Sequence, residues 1–140
     1  YQYPEKLIPL FITNVIEGKK VPVYGDGKNI RDWIQVDDHN RGVDLIIKKG
    51  RIGETYCLGG NSEKSNLEIT LLILELMGQG EEMIEFVPDR LGHDLRYAIN
   101  FSKAEKELGF KPEFSFVDGL KETINWYSNN REWWQKLKQK

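Results

Sequence analysis

The chain has 140 residues, of which 39% are hydrophobic and 30% charged, and its formal net charge is −2. This length can bury one sizeable core, so we expect one domain covering residues 1–140. A balanced charge gives no general attraction to nucleic acid or to anionic membranes, and no apolar stretch approaches the ~20 residues that cross a bilayer. We therefore expect neither a nucleic-acid partner nor a membrane partner.

Cysteine and histidine are too scarce for a structural metal site. Cys57 is the single cysteine, and His39 and His93 are the two histidines. A structural zinc site usually needs four such ligands, so we predict no metal site and no disulfide framework. The acids Asp37 and Asp38 beside His39 are better explained as the start of a helix, where negative charge favours the helix dipole.

Helices dominate the predicted elements, with short strands between them. Apolar side chains recur at helical spacing in five segments. These helices cover residues 4–17, 37–48, a segment opening at Ser65, residues 102–109 and a long final helix from Ser115 through Leu137. Short apolar runs bounded by turn residues predict strands at 21–24, 31–36, 54–58 and 83–87. The fold class is therefore mixed α/β and helix-dominated.

Capping residues and apolar periodicity predict where the helices start and which face of the second helix is buried. Asp37 is predicted to cap that helix, with Val43, Ile46 and Ile47 facing inward. A serine followed three positions later by an acid has the spacing of a capping box. This spacing occurs at Ser65–Glu68, Ser102–Glu105 and Ser115–Asp118.

Familiar catalytic and cofactor motifs are missing from the sequence. The glycine turn at residues 25–27 lacks the third glycine of a dinucleotide fingerprint, and the glycine pair at residues 59–60 lacks it too. No P-loop, nucleophile elbow or HExxH motif occurs. These observations leave two possibilities, a binding module or a piece of an enzyme.

Scattered polar and aromatic side chains have the chemistry to bind a nucleoside diphosphate. A guanidinium holds phosphate oxygens through two parallel hydrogen bonds, and free N–H groups at a helix start favour anions. Tyrosine and proline offer a flat surface for a base. None of these residues is specific alone, since each type is also common as a solvated charge or in packing. The candidates are Lys6, Pro22, Tyr24, Arg31, Asn66, Arg90 and His93.

The order of several longer segments narrows the choice. They are YQYPEKLIPLFI, VPVYGDGKNIRDWIQVDDH, GETYCLGG with EKSNLEI, DRLGHDLRYAIN and ELGFKPEFSFVDGLKETINWY. In this order, and over nearly the whole chain, they resemble the dTDP-glucose 4,6-dehydratases, which are extended short-chain dehydrogenases. Three departures stand in the fourth segment, where Leu91 replaces the family's proline, Leu95 an arginine and Asn100 an aspartate. Cys57 also stands where the family often has asparagine.

The resemblance implies a two-part enzyme, of which this chain is the C-terminal substrate-binding portion with the Rossmann half missing. The chain begins with Tyr1 rather than Met, which also suggests a removed N-terminal part. In the family, the Rossmann half holds NAD, and dTDP-glucose is oxidised at C4, loses water across C5 and C6, and regains hydride at C6. The family's catalytic residues precede Tyr1, so we assign none here and expect the chain to be inactive alone and to bind no cofactor itself.

The resemblance also implies roles for single residues. Lys6 and Leu7 would approach the nucleotide, and Pro22 and Tyr24 would flank the thymine. The remaining positions would bind the diphosphate (Arg31 and Asn66) or close over the nucleotide (Arg90 and His93). The expected ligands are dTDP or dTDP-glucose.

Further expectations concern partners and alternatives. The missing Rossmann domain is an expected partner, and the location expected for this family is cytoplasmic. Without the parent sheet, the strand at 54–58 would be an unpaired edge, which favours homo-oligomers. The alternatives are a related epimerase or dehydratase of UDP- or GDP-sugars, and a stand-alone interaction module. The latter would use an aromatic stripe of Trp126, Tyr127, Trp133 and Trp134.

Overall fold

The structure, a computed structural model, describes residues 2–138. Within them lie six α-helices, four short strands and a 3₁₀ turn at Glu81–Met83, so the prediction of a mixed, helix-dominated α/β fold is confirmed. The helices are α1 (Leu7–Ile16), α2 (Val36–Lys49), α3 (Asn66–Leu76), α4 (Ser102–Leu108), α5 (Phe116–Asn129) and α6 (Arg131–Lys138). The strands are β1 (Val21–Tyr24), β2 (Ile30–Asp32), β3 (Glu63–Ser65) and β4 (Ile84–Val87).

The first of two compact units contains the chain up to Asn29, Ser65–His93 and the chain from Leu120 onward. Its β1 and β4 pair in parallel, with Val21 opposite Ile84 and Tyr24 opposite Val87. Helices α1 and α3 pack on β1. The buried side chains of this unit include Phe11, Ile12, Val21, Val23, Ile69, Ile73, Leu74, Tyr127 and Trp134.

The second unit contains Ile30–Lys64 and Asp94–Gly119. Helices α2 and α4 contact each other, and β2 pairs with β3. Ala104, Leu108 and Phe110 form the centre of its core. Partly buried apolar residues pack around them: Ile34, Leu45, Ile46, Tyr56, Leu58 and Phe101.

One of the three predicted capping boxes is complete, and one of the two hydrogen bonds of a second is present. The Ser65 side chain accepts from the Glu68 N–H, and the Glu68 carboxylate accepts from the Ser65 N–H at 2.7 Å. At α5, Ser115 Oγ accepts from the Asp118 N–H at 3.1 Å. The third prediction is wrong, because Ser102 is already helical and its N–H donates to Asn100 Oδ1.

Other predicted boundaries also shift for local reasons. Gln35 rather than Asp37 caps α2, since the Gln35 side chain accepts from the Asp37 N–H. The long final helix breaks at Asn130, whose side chain donates to the Trp126 carbonyl and whose own carbonyl accepts from Trp133 N–H. The first helix begins at Leu7 rather than at residue 4.

Two predictions about the second unit are wrong. The segment at residues 54–58 forms no strand among the described residues, and Glu63–Ser65 forms the strand instead. Val43 and Ile47 are 39% and 78% exposed, so only Ile46 of the predicted inward face packs on the core. Periodicity identified an apolar face on α2, but a strand or a helix face becomes buried only when another element packs against it.

No helix within residues 2–138 has the length and apolar character needed to span a bilayer.

Candidate functional site

Strand β1 sorts its four side chains onto two faces. Val21 and Val23 are buried, whereas Pro22 and Tyr24 point to the opposite face and are half-buried. This follows from the two-residue period of a strand. Two predicted ligand-binding residues therefore share one face at the end of a short parallel sheet.

The aromatic ring of Tyr24 contacts side chains from the loop that follows β4. The guanidinium carbon of Arg90 lies 4.4 Å from the centre of the ring, the geometry of a cation–π contact. The His93 ring meets Tyr24 edge-on, with centroids 6.4 Å apart at an angle of 84°. His93 Nδ1 lies 2.7 Å from Asp89 Oδ1. We call Tyr24, Asp89, Arg90 and His93 the Tyr24 cluster.

A tight turn gives the loop its shape. The His93 N–H donates to the Arg90 carbonyl at 3.1 Å, and Gly92 between them has a φ of 72°. Glycine with positive φ at the third position is typical of a type II turn, whose second position often holds proline. Leu91 occupies that second position, so the turn forms here without the family's proline.

Asp89 is a member of the cluster that the sequence did not single out. The hydrogen bond from His93, and then that from the Arg90 N–H at 2.8 Å, lower the pKa of the Asp89 carboxyl. The spacing of an acid four positions before a histidine was the available signal. In a loop, this spacing does not predict a contact unless the turn between the two residues is known. Asp94, the next residue after His93, was the more obvious partner from the sequence.

Asn66 is the first residue of α3 and is only 9% exposed. The sequence predicted free N–H groups at this helix start, and that expectation is wrong. The Asn66 N–H donates to the Asn29 carbonyl at 3.0 Å, and the Leu67 N–H donates to the Gly27 carbonyl at 2.9 Å. The next N–H is bonded within the capping box. Only the Asn66 side chain is left to contact an anion.

Lys6 and Leu7 stand at the start of α1. Lys6 is the N-cap residue of that helix, and its ammonium pairs with Glu5 at 2.9 Å on the surface. Leu7 is half-buried. Both lie on an element separate from the loop and strand that build the Tyr24 cluster.

Arg31 belongs to the second unit, whereas the seven other predicted site residues belong to the first. Its guanidinium donates to the carbonyls of Ile30 at 2.7 Å and Asp94 at 3.0 Å, and it lies 4.6 Å from the Tyr97 ring centre. The Tyr97 hydroxyl donates to the Asp94 carboxylate, which raises the Tyr97 pKa. These contacts hold Arg31 in one orientation and leave other N–H groups of its five for a ligand.

Neither a three-ligand metal cluster nor, at the glycine turn after β1, a dinucleotide frame is formed within residues 2–138. No group of three acidic, histidine or cysteine side chains within residues 2–138 is arranged to hold a metal ion. The glycine turn after β1 leads into β2 rather than into a helix, so the strand–turn–helix frame of a dinucleotide site is not formed there.

Comparison with known proteins identifies the family of the chain. A family model described as GDP-mannose 4,6 dehydratase matches residues 1–123. A dTDP-glucose 4,6-dehydratase of Streptomyces niveus is 54% identical over 138 residues, which are 99% of this chain and 41% of that protein. The chain thus spans about two fifths of the length of the curated relatives that it matches.

Solved structures give the same picture. A dTDP-glucose 4,6-dehydratase from Streptomyces venezuelae, with NAD and dTDP bound, matches with a TM-score of 0.95 and 50% identity. The match covers 98% of this chain and 42% of that one. A UDP-glucuronic acid 4-epimerase from Bacillus cereus matches with a TM-score of 0.85 and 28% identity, over 91% of this chain and 41% of its own. The resemblance to the dTDP-glucose 4,6-dehydratases is thereby confirmed, and the chain belongs to the GDP-mannose 4,6 dehydratase family.

Proposed function

We propose that residues 1–140 are the C-terminal nucleotide-sugar-binding part of a dTDP-glucose 4,6-dehydratase. The Tyr24 cluster is the observation that carries this proposal. It places a guanidinium and an imidazole on one aromatic ring at the end of β1, and these groups suit the phosphates and the base of a nucleotide. The 50% identity to a dehydratase solved with dTDP bound supports the same ligand.

The complete enzyme would convert dTDP-glucose to its 4-keto-6-deoxy product. Oxidation at C4, loss of water across C5 and C6, and return of hydride to C6 would occur with NAD held by the rest of the enzyme. The present residues would bind and orient the nucleotide, which makes the chain inactive by itself. Such a product feeds deoxysugar pathways such as rhamnose biosynthesis, and a cytoplasmic location accords with that role.

Arg90 is the residue best placed to meet a phosphate. Its guanidinium stacks on Tyr24, and within residues 2–138 no carboxylate forms an ion pair with it. Its charge is therefore available to an anion while its position is fixed by the ring. The other proposed contacts are Lys6, Leu7, Pro22, Tyr24, Arg31, Asn66 and His93.

Titration calorimetry with dTDP tests the proposal. Replacing Arg90 with alanine is expected to weaken dTDP binding about 10- to 100-fold, because one charge-assisted hydrogen bond contributes roughly 1.5–3 kcal/mol. Arg31→Ala should weaken it similarly. Arg51→Ala is the matched control, since Arg51 is paired with Glu107 at 2.8 Å in the second unit. Unchanged affinity in both Arg90→Ala and Arg31→Ala would contradict the proposed diphosphate contacts.

The alternatives are less well supported. A UDP-sugar enzyme matches at 28% identity against 50% for the dTDP-glucose enzyme. Comparing dTDP with UDP and GDP in the same titration separates them, and tighter UDP or GDP binding would favour a related epimerase or dehydratase. The interaction-module alternative is weakened because Tyr127 and Trp134, half of its aromatic stripe, are buried.

We also propose that the chain associates with the rest of its enzyme and, when alone, with itself. The support is the segment at residues 54–58, which is not paired with a strand among the described residues, together with exposed Val43 and Ile47 on α2. Unpaired backbone and apolar side chains favour association. Sedimentation of the isolated chain is expected to show concentration-dependent oligomers, and a strict monomer at high concentration would contradict this.

A further inference from the structure

His93 is held more tightly than a loop histidine needs to be. Its side chain is 14% exposed, and its Nδ1 lies 2.7 Å from Asp89 Oδ1. The ring also meets the edge of Tyr24. One ring nitrogen is thus committed to a carboxylate, and the question is which nitrogen carries the proton.

The Asp89 carboxylate determines which His93 ring nitrogen carries the hydrogen. An ionised carboxylate only accepts hydrogen bonds, so the ring nitrogen that it contacts must donate. The pKa of Asp89 is lowered by this bond and by the Arg90 N–H, so the carboxylate is ionised at neutral pH. The neutral ring therefore has its hydrogen on Nδ1 and a lone pair on Nε2.

The carboxylate is itself confined on several sides. The Arg90 N–H holds Asp89 Oδ1 at 2.8 Å, and the turn closed by the His93 N–H sets the distance between Asp89 and the ring. A side chain added at Gly25 would lie 3.1 Å from Asp89 Oδ2, so the turn after β1 approaches the carboxylate closely. The other charges nearby are Asp26, which opposes ionisation of Asp89, and Lys28, which pairs with Asp26 at 2.7 Å.

We propose that Asp89 is a positioning residue that keeps neutral His93 in its Nδ1–H form, so that Nε2 accepts a hydrogen bond from the nucleotide. This inference rests on the proposed function. A lone pair on Nε2 suits a donor, such as a deoxyribose hydroxyl or the imide N–H of thymine. It does not suit a diphosphate oxygen, which only accepts. The phosphates are then left to the other proposed contacts, Arg31, Asn66 and Arg90, and the imidazole adds selectivity for the nucleoside.

Nitrogen-15 NMR of the imidazole tests the first part without any ligand. At about pH 8, where an ordinary imidazole is neutral, the His93 signals are expected to show a protonated Nδ1. Asp89→Asn removes the obligatory acceptor, and the signals should move toward the Nε2–H form that free histidine prefers. Glu81→Gln, an exposed acid in the 3₁₀ turn before β4, is the control and should leave the His93 signals unchanged.

Binding of dTDP tests the second part. Asp89→Asn is expected to bind dTDP about tenfold more weakly, which corresponds to one hydrogen bond, while Glu81→Gln binds as the parent does. An Nε2–H ring in the parent chain, or an unchanged ring in Asp89→Asn, would overturn the inference even if dTDP binds. Failure of the parent chain to bind dTDP would instead overturn the proposed function.

Discussion

Replacing Asp38 with alanine is expected to lower the free energy of unfolding by about 3–5 kcal/mol, the range for breaking a buried ion pair. Asp38 is 1% exposed. Its carboxylate accepts the N–H groups of Glu113 at 3.0 Å and Phe114 at 3.0 Å, and pairs with Arg41 at 2.9 Å. Alanine leaves the two N–H groups without their acceptor, at about 1–3 kcal/mol each, and these account for most of the cost. Arg41 is 31% exposed and keeps its pair with Glu113 at 2.7 Å, so its share is small.

The neighbouring Asp37 provides the control for this prediction. It lies in the same first turn of α2 but is exposed, so Asp37→Ala loses only a dipole interaction of about 0.3–1 kcal/mol. Asp38→Asn keeps one acceptor oxygen and should fall between the two. Urea unfolding followed by circular dichroism measures all three. Equal losses for Asp37→Ala and Asp38→Ala would show that the buried carboxylate does not anchor the 113–114 backbone.

Local chemistry was enough to predict several elements. The strand Val21–Tyr24 was predicted at its observed bounds because a short apolar run precedes a glycine turn. The Ser65–Glu68 capping box was predicted because both of its hydrogen bonds join residues three apart. The Ser102–Glu105 spacing failed at α4, where Asn100 reaches the Ser102 N–H instead. Spacing alone cannot distinguish between neighbouring side chains that compete for one donor.

Features that depend on distant partners were harder to predict. Whether Val43 and Ile47 are covered depends on what packs against α2, and periodicity does not contain that information. The segment at residues 54–58 has strand-like composition, yet a strand is defined by its neighbour. In both cases the local sequence shows the apolar pattern, but it does not show which element packs against that pattern.

The candidate site was predicted in part. Tyr24, Arg90 and His93 were selected, and the structure brings these three into contact. Asp89 was missed because its contact with His93 depends on a turn that requires Gly92. The N–H groups at the start of α3 were expected to be free, but their acceptors come from the turn after β1, about 40 residues earlier in the chain. The sequence thus identified the kinds of groups at the site better than their hydrogen-bond partners.

Replacing Trp134 with alanine is expected to lower the free energy of unfolding by about 3–5 kcal/mol, as for other buried aromatic residues. Trp134 is completely buried, and its Nε1–H donates to the Tyr127 carbonyl at 2.8 Å. Lys138 lies over its ring at 5.7 Å and donates to Thr13, Asn14 and Glu17 of the first helix region. Trp134→Ala would leave a large cavity between α5 and α6.

Trp133 is the matched control, because it is the same residue type on the same helix. It is half-buried and packs against Trp126 with centroids 5.2 Å apart, so Trp133→Ala should cost about 1–2 kcal/mol. Thermal or urea unfolding measures both variants. If the aromatic stripe were a partner surface, Trp133→Ala would abolish association with a partner and Trp134→Ala would change stability little. A core role for Trp134 predicts instead that Trp134→Ala loses more stability than Trp133→Ala.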